Sequence, residues 1–357
     1  MKQALLAAGA LALAAGDASA GGVERSGQFV GILFEEGNVA QLSFAVGSPD
    51  VSGTVGGGAL ASGDMSPSYL TYSLAYKQAL GENLDFAVII DQPIGADVDY
   101  PVGTGYPLQG TTATLSSTAI TGLLRYRFDN NVSLYGGLRG ETVKGVVSIP
   151  LVAGYTLETN RDLAFGYVVG VGWERPDILA RVALTYNSAI EHSLDSVEFG
   201  AVPTQFQTTV PQSVNLEFQT GISRKAQLLL FGSVRWVDWT EFEIAPPAYL
   251  GATGSPLVAY QSDRITYSLG LGKRFSDRWS GAVTLGYEPS NGDITGNLGP
   301  VDGFASIGLG ATYTMDNVKV TGGLRYIRIG DATTAVVGGD FSGNSALAAG
   351  VQITTSF

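Results

Sequence analysis

Few side chains in this sequence are equipped for covalent chemistry. Its 357 residues hold no cysteine and one histidine, His192. That removes thiolate nucleophiles and cysteine-based metal sites. Ser193 and Asp195 stand beside the histidine. A Ser-His-acid hydrolase needs such groups converged by the fold, and adjacency along a chain does not converge them. No nucleophile motif accompanies them. Asp238, Glu241 and Glu243 offer oxygens to a hard cation, but their spacing fixes no coordination sphere, so no metal is expected. Gly56-Gly57-Gly58 has no following helix to cradle a phosphate, so no nucleotide or other cofactor is expected. What remains suits non-covalent binding. Phe29-Val30-Gly31-Ile32-Leu33-Phe34 is an apolar run, the composition of a hydrophobic pocket. Arginines such as Arg125 and Arg139 offer a charge-assisted hydrogen bond to a carboxylate. The expectation is a binding or transport protein and not an enzyme.

These groups need a frame. The net charge of −12 argues against nucleic acid as a partner. Residues 1–20 read as an export signal: Lys2 is the positive end, Leu5 to Ala15 is apolar, and Ala18-Ser19-Ala20 is a small-x-small cleavage site. The rest of the chain has no apolar run long enough for a membrane-crossing helix. Yet only 15% of residues are charged, 49 are glycine, and the mean hydropathy is +0.18. Helices and closed barrels are the two structures that satisfy every backbone polar group in lipid. A barrel is therefore expected.

Alternation supports it. Val214, Leu216 and Phe218 interleave with Asn215, Glu217 and Gln219; Ile265, Tyr267 and Leu269 interleave with Thr266, Ser268 and Gly270. Successive side chains of a strand face opposite ways, so one set meets lipid and the other the lumen. Fourteen such segments run from 39–46 to 346–357, an even number, as closure of an antiparallel barrel requires. Short turns such as 129–131, 276–278 and 316–317 alternate with longer connections such as 47–68, 150–161, 192–211 and 243–263. Outer-membrane barrels have short periplasmic turns and longer outer loops. On this pattern His192 falls in a solvated outer loop. Strand parity puts Arg125, Arg127, Arg139, Arg181 and Arg325 in the lumen, beside acids such as Glu141 and Glu217 with which they also could pair. Lys144, next to Gly145, is left open by parity.

The expected fold is all-β: a 14-stranded antiparallel transmembrane β-barrel over 39–357, preceded by a short N-terminal plug (hatch) segment at 21–38. The apolar centre of that segment is costly to leave in water. A barrel this wide is not filled by wall side chains alone, so the lumen is the economical place for it. Tyr and Trp near strand ends (Trp173, Trp279, Tyr126, Tyr313) match interfacial girdles.

The sequence also resembles a known family. Pro211-Gln212-Ser213-Val214-Asn215-Leu216, followed by the strand ending Trp236-Val237-Asp238-Trp239-Thr240-Glu241-Phe242, is similar to the long-chain fatty acid transporters of the outer membrane (FadL/TodX type). Gly286-Tyr287-Glu288, Gly308-Leu309-Gly310, the closing Phe357 and Ser48-Pro49-Asp50-Val51-Ser52-Gly53 look similar too, so the likeness spans most of the chain. The resemblance implies a barrel with an N-terminal hatch. It also implies passive uptake of hydrophobic molecules, captured outside, held in the barrel and released sideways at a kinked strand. The sequence departs from the family in its short hatch, in having Gly37-Asn38-Val39-Ala40 in place of an Asn-Pro-Ala element, and in the brief connection 150–161.

The function expected is therefore passive outer-membrane uptake of a hydrophobic small molecule, a long-chain fatty acid first and a hydrocarbon otherwise. Phe29, Ile32, Leu33, Phe34, Arg125 and Arg139 are the expected contacts. Pro93 and Gly95 mark where the wall could kink. Outer-membrane lipid and lipopolysaccharide would surround the barrel, and the assembly machinery would recognise Phe357. The alternatives are a general diffusion porin for small polar solutes and, further off, an outer-membrane lipid hydrolase.

Overall fold

The protein is described here by a computed structural model covering residues 22–357; the expected export signal lies outside the described residues. Fourteen strand segments close on themselves. They are β1 (Val39–Asp50), β2 (Tyr69–Ala79), β3 (Leu84–Asp91 with Gly95–Asp99), β4 (Thr112–Arg127) and β5 (Val132–Ile149). Next come β6 (Tyr155–Thr159 with Asp162–Arg175), β7 (Ala180–Asn187 with Ile190–Glu198), β8 (Val202–Val210 with Ser213–Ser223) and β9 (Leu228–Val237). The circuit ends with β10 (Arg264–Arg274), β11 (Trp279–Glu288), β12 (Phe304–Met315), β13 (Val318–Ile329) and β14 (Ser345–Ser356). Neighbours in sequence pair antiparallel, and β14 returns to β1 in register from Val39↔Ser356 to Asp50↔Ser345. Among the described residues, no sheet edge runs the full height of the wall, as lipid requires.

The exterior is apolar. Phe44, Leu74, Leu138, Phe165, Leu269 and Leu309 all stand exposed. In water such a band would be a large unpartnered patch; against acyl chains it is the favourable surface. Aromatic pairs gather near the short turns: Tyr126 with Phe128 at 5.0 Å, Trp279 with Tyr313 at 4.8 Å, and Tyr76 with the terminal Phe357 at 6.2 Å between ring centres. This is the girdle of a membrane interface. The barrel is of the outer-membrane type.

Four strands are interrupted, and the interruptions share one geometry. Two residues, where one is normal, separate inward side chains Asp91 and Ile94 in β3, Thr159 and Asp162 in β6, Asn187 and Ile190 in β7, and Val210 and Ser213 in β8. Each works as a bulge that resets which side chains face in. Gln92-Pro93 and Pro211-Gln212 place a proline, which cannot donate to a ladder, at two of the breaks.

Across the breaks the polarity of the wall inverts. On the turn side, outward residues are apolar (Leu163, Phe165, Val182, Leu184) and inward ones polar (Thr185, Asn187, Asn215, Glu217). On the loop side, outward residues are polar (Glu158, Glu191, Asp195, Gln205) and inward ones apolar (Leu157, Ile190, Leu194, Phe206). The lower wall is built for lipid outside. The upper wall stands in water and encloses an apolar interior.

This inversion corrects two sequence-based assignments. The segment 192–211, expected as an outer loop, is a β-hairpin continuing β7 and β8, paired from Ile190↔Val210 to Glu198↔Val202. Its outward polar residues above the membrane look like a loop to any pattern that expects apolar outsides. His192 is accordingly not solvated. It faces in, is 0% exposed, and its Nδ1 lies 3.0 Å from Asp162 Oδ2. Likewise 150–161 is in part strand: after a turn at 150–154, Tyr155–Thr159 pairs back to β5. Lys144 faces outward and meets Glu158 at 3.1 Å.

Residues 22–38 run inside the barrel. Near the turn side, a 3₁₀ turn at Gly31–Phe34 buries Ile32, Leu33 and Phe34 against wall residues including Ala87, Leu123 and Val168. Each buried side chain of that size contributes roughly 1.5–3 kcal/mol. The wall grips the backbone as well: Arg125 Nη1 donates to Leu33 O at 2.8 Å, and Lys77 Nζ donates to Glu35 O and Gly37 O at 2.9 Å. Higher up, Asn215 Nδ2 donates to Gly27 O at 2.8 Å. There Arg235 forms a buried ion pair with Glu24, Nη2 to Oε1 at 2.5 Å.

Candidate functional site

The inverted upper wall encloses an apolar cavity. The plug supplies Val23. β3 contributes Ile94, Ala96 and Val98; β4 and β5 contribute Leu115, Val143 and Val147; β6 to β8 contribute Leu157, Leu194, Phe206 and Thr208. The connection 238–263 folds over it with Phe242, Ile244, Leu257, Val258 and Tyr260, and 289–303 adds Leu298. The space free of atoms, open mouth included, is about 730 Å³. Among the described residues, none of its lining side chains is charged.

The roof is pinned by polar contacts. A short helix, α1 (Pro247–Thr253), sits in the 238–263 connection. The buried Glu198 carboxylate at the tip of the β7–β8 hairpin accepts hydrogen bonds from the backbone N–H groups of Ala248 and Tyr249, at 3.0 and 2.8 Å. The Tyr155 hydroxyl donates to the same carboxylate at 2.9 Å. A negative group at a helix start is favourable, so the hairpin and the helix hold each other in place. In the neighbouring connection, Asp302 accepts from Arg264 Nη1 at 2.6 Å and from the Gly292 N–H at 2.8 Å. The Ser290 hydroxyl and the Asn291 N–H also donate to it. Burial pushes the Asp302 carboxyl up, but these hydrogen bonds outweigh it and hold it below the usual carboxylate range.

A second feature lies where β3 breaks. The β2–β3 ladder runs from Ala79↔Asp85 to Leu74↔Ile90 and stops. Tyr69 to Ser73 of β2 have no ladder partner on β3, a length of about 17 Å at ~3.4 Å per residue. Beyond Pro93, β3 turns its free edge to the plug: the Arg25 N–H donates to Pro93 O and the Gly95 N–H to Val23 O, at 2.9 and 2.8 Å. The wall therefore has a gap between β2 and upper β3. Phe29, Ile32, Ser26 and Thr71 line it from inside and Phe44 and Tyr72 from outside, around about 830 Å³ of space free of atoms. Gln92 Oε1 accepts the otherwise unpaired Tyr72 N–H at 3.1 Å. Arg25 stands at the inner end, 3.2 Å over the Tyr69 ring and 3.2 Å from Asp97.

A third space lies between the cavity and the gap. It shares Val23, Ala96, Val98, Tyr260 and Leu298 with the cavity and shares Arg25 with the gap. Residues 23–25 of the plug thus form the partition between them.

The residues singled out in the sequence fall in different places. Phe29 and Ile32 line the gap. Leu33 and Phe34 are buried in the plug's base. Arg125 lies beneath the Phe34 ring at 4.2 Å and pairs with Glu174. Arg139 donates to Thr121 Oγ1 at 2.9 Å. Neither arginine lines the apolar cavity. Sequence reasoning missed the cavity residues, which come from six strands, two loops and the plug. The signal that could have found them is the switch of apolar residues to the opposite phase after Pro93 and before Pro211. Ser193 and Asp195 lie on the outer face, across the wall from His192.

No family model matches the sequence, and no curated protein matches it either. Solved structures do. A Pseudomonas aeruginosa FadL homologue superposes with a TM-score of 0.76 at 14% identity, covering 98% of each chain. The Pseudomonas putida toluene transporter TodX gives 0.66 at 12% identity, over 96% of this chain and 98% of that one. The Ralstonia pickettii toluene transporter TbuX gives 0.62 at 13% identity, over 94% and 92%. At such identities the likeness is one of fold: this chain has the fold of the FadL/TodX-type barrels.

Proposed function

We propose that this protein carries hydrophobic small molecules passively across the outer membrane, capturing them in the upper cavity and releasing them sideways between β2 and β3. The observation that supports this most is the series of spaces from the uncharged cavity, past Val23 to Arg25, to a gap whose outer rim is Phe44 and Tyr72. Lipopolysaccharide presents a charged layer that excludes apolar solutes. An apolar cavity held above the bilayer by a polar-sided wall lets such a solute bypass that layer. The gap then opens onto the acyl chains rather than onto water. No energy source is needed when concentration falls inward. The toluene-transporter and FadL-homologue neighbours are in keeping with this class of cargo.

Long-chain fatty acids and neutral hydrocarbons both match the lining along their apolar parts and differ at the head. A general porin fits less well, because the plug fills the lower lumen with Ile32, Leu33 and Phe34. The test is reconstitution in liposomes. The proposal expects faster entry of a hydrophobic fluorophore and no swelling in small sugars. Sugar swelling without fluorophore entry would replace it with the porin.

A further inference from the structure

The outer face of the protein carries charge of one sign. The five irregular connections on that side, 51–68, 100–111, 238–263, 289–303 and 330–344, hold nine Asp and Glu and no Lys, Arg or His. The turns at the other end mix signs, as in Arg224-Lys225 and Asp277-Arg278. Of the nine acids, Asp293 and Asp302 face Arg264. The other seven have no basic partner within ion-pair reach among the described residues. Nor do they gather round one point: among the described residues, no three acids converge as metal ligands. The result is a negative field spread over the outer face, not a cation site.

That field lies over the cavity. Six of the nine acids sit in 238–263 and 289–303, the two connections that roof it and supply Phe242, Ile244, Tyr260 and Leu298 to its lining. Glu241 and Glu243 are exposed on either side of the buried Phe242. A solute arriving from outside therefore comes through a negative potential. Inside, an anion finds nothing to offset this. Among the described residues, none of the lining side chains is charged. The nearby lumenal cations are already engaged: Arg25 with Asp97, Arg235 with Glu24, and Arg264 with Asp302. A carboxylate without a partner in such a space protonates or stays in water. The field and the lining thus act against the same class of molecule.

Resting on the uptake reading, we propose that the outer face is an electrostatic filter that turns away amphiphiles with an anionic head, so that the cargo is apolar molecules without negative charge. Between fatty acids and neutral hydrocarbons, it selects the latter and their uncharged derivatives. Electrostatic steering changes association rates by about 10- to 1,000-fold. The Debye length falls from about 30 Å at ~0.01 M salt to about 3 Å at ~1 M. At low salt the field of the roof reaches across the opening; at high salt it ends within a side chain's length of its source.

The test is stopped-flow association of the full purified chain with pyrenebutanol and with pyrenebutyrate at neutral pH, in a non-ionic detergent with a detergent-only control, at ~0.01 M and ~1 M salt. The butyrate-to-butanol ratio of association rates should lie well below one at low salt and rise about tenfold at high salt. Glu241→Lys with Glu243→Lys should raise the low-salt ratio several-fold and leave the butanol rate unchanged. Glu241→Gln with Glu243→Gln, which keeps the shape, should raise it less. Both variants are expected to fold, since the two side chains are exposed. A low-salt ratio near one, a ratio indifferent to salt, or a ratio unmoved by both variants would overturn the filter while leaving hydrophobic uptake standing. Failure of both probes to bind at either salt would remove the uptake reading and this one together.

Discussion

The buried Glu24–Arg235 pair is the clasp that holds the upper plug, and breaking it should release that segment without unfolding the barrel. Both side chains are nearly buried, at 7% and 6% exposure, and Arg235 also donates to Ser213 and Asn215 at 3.0 and 2.6 Å. Removing one partner of such a pair costs about 3–5 kcal/mol. At about 1.4 kcal/mol per decade, Arg235→Met should raise the open population of the upper plug roughly 100- to 3,000-fold. The chain contains no cysteine, so Gln28→Cys, next to the Gly27 carbonyl that Asn215 holds in the upper plug and 7% exposed, gives a clean reporter. Its maleimide labelling rate should rise by that factor in Arg235→Met. It should fall back most of the way when Glu24→Gln removes the stranded charge. The barrel's heat-dependent gel mobility should not change, because its ladders are untouched. A labelling rate within about threefold of the parent, far below the change that such a pair implies, would show that the pair does not hold the plug.

Other consequences follow from the same structure. Leu269→Arg puts a charge on the lipid face, where Leu269 is 48% exposed, and should cost about 2–4 kcal/mol near the bilayer centre; unaltered urea unfolding in lipid would contradict a lipid-facing β10. A Cβ on Gly47 would overlap the Tyr69 ring, which carries Arg25 at the gap, so Gly47→Val should speed hydrophobic uptake; an unchanged rate would show that this contact does not limit release. Asp302 is held below the usual carboxylate range. A depressed folded value adds stability that is fully present above the unfolded value of about 3.9 and is lost as pH falls through the lower folded one. Proteolysis of the 289–303 connection should therefore stay flat from neutral pH down to about 4 and rise only below it, whereas Asp302→Asn should expose it at neutral pH.

The barrel was legible because lipid imposes one rule on every strand. Leu216 against Glu217, or Leu269 against Ser268, reports face directly, and short turns such as Asp316-Asn317 interrupt the pattern sharply. The rule ends where lipid ends. Above the breaks Glu191, Asp195 and Gln205 face water and Ile190, Leu194 and Phe206 face in, so the same alternation carries the opposite meaning and passes for loop. His192 was misplaced for that reason. The plug's base was visible as Ile32-Leu33-Phe34, an apolar run with nowhere else to go. The cavity was not, because its lining comes from β3 to β8, Val23 and two distant connections, and nothing local brings Val98 to Phe206 or Leu257. Pro93 pointed to a kink in β3; that the freed edge would turn inward onto residues 23–25 is a matter of long-range pairing.

The most direct measurement blocks the gap. Thr71 faces it from β2, and Val102, 80% exposed in the connection after β3, lies outside it. Thr71→Cys and Val102→Cys, each labelled with the same bulky maleimide, would be compared for hydrophobic fluorophore entry into proteoliposomes. Uptake lost on labelling at 71 and kept on labelling at 102 is the predicted result. Full uptake through a barrel labelled at 71 would mean that cargo does not leave between β2 and β3.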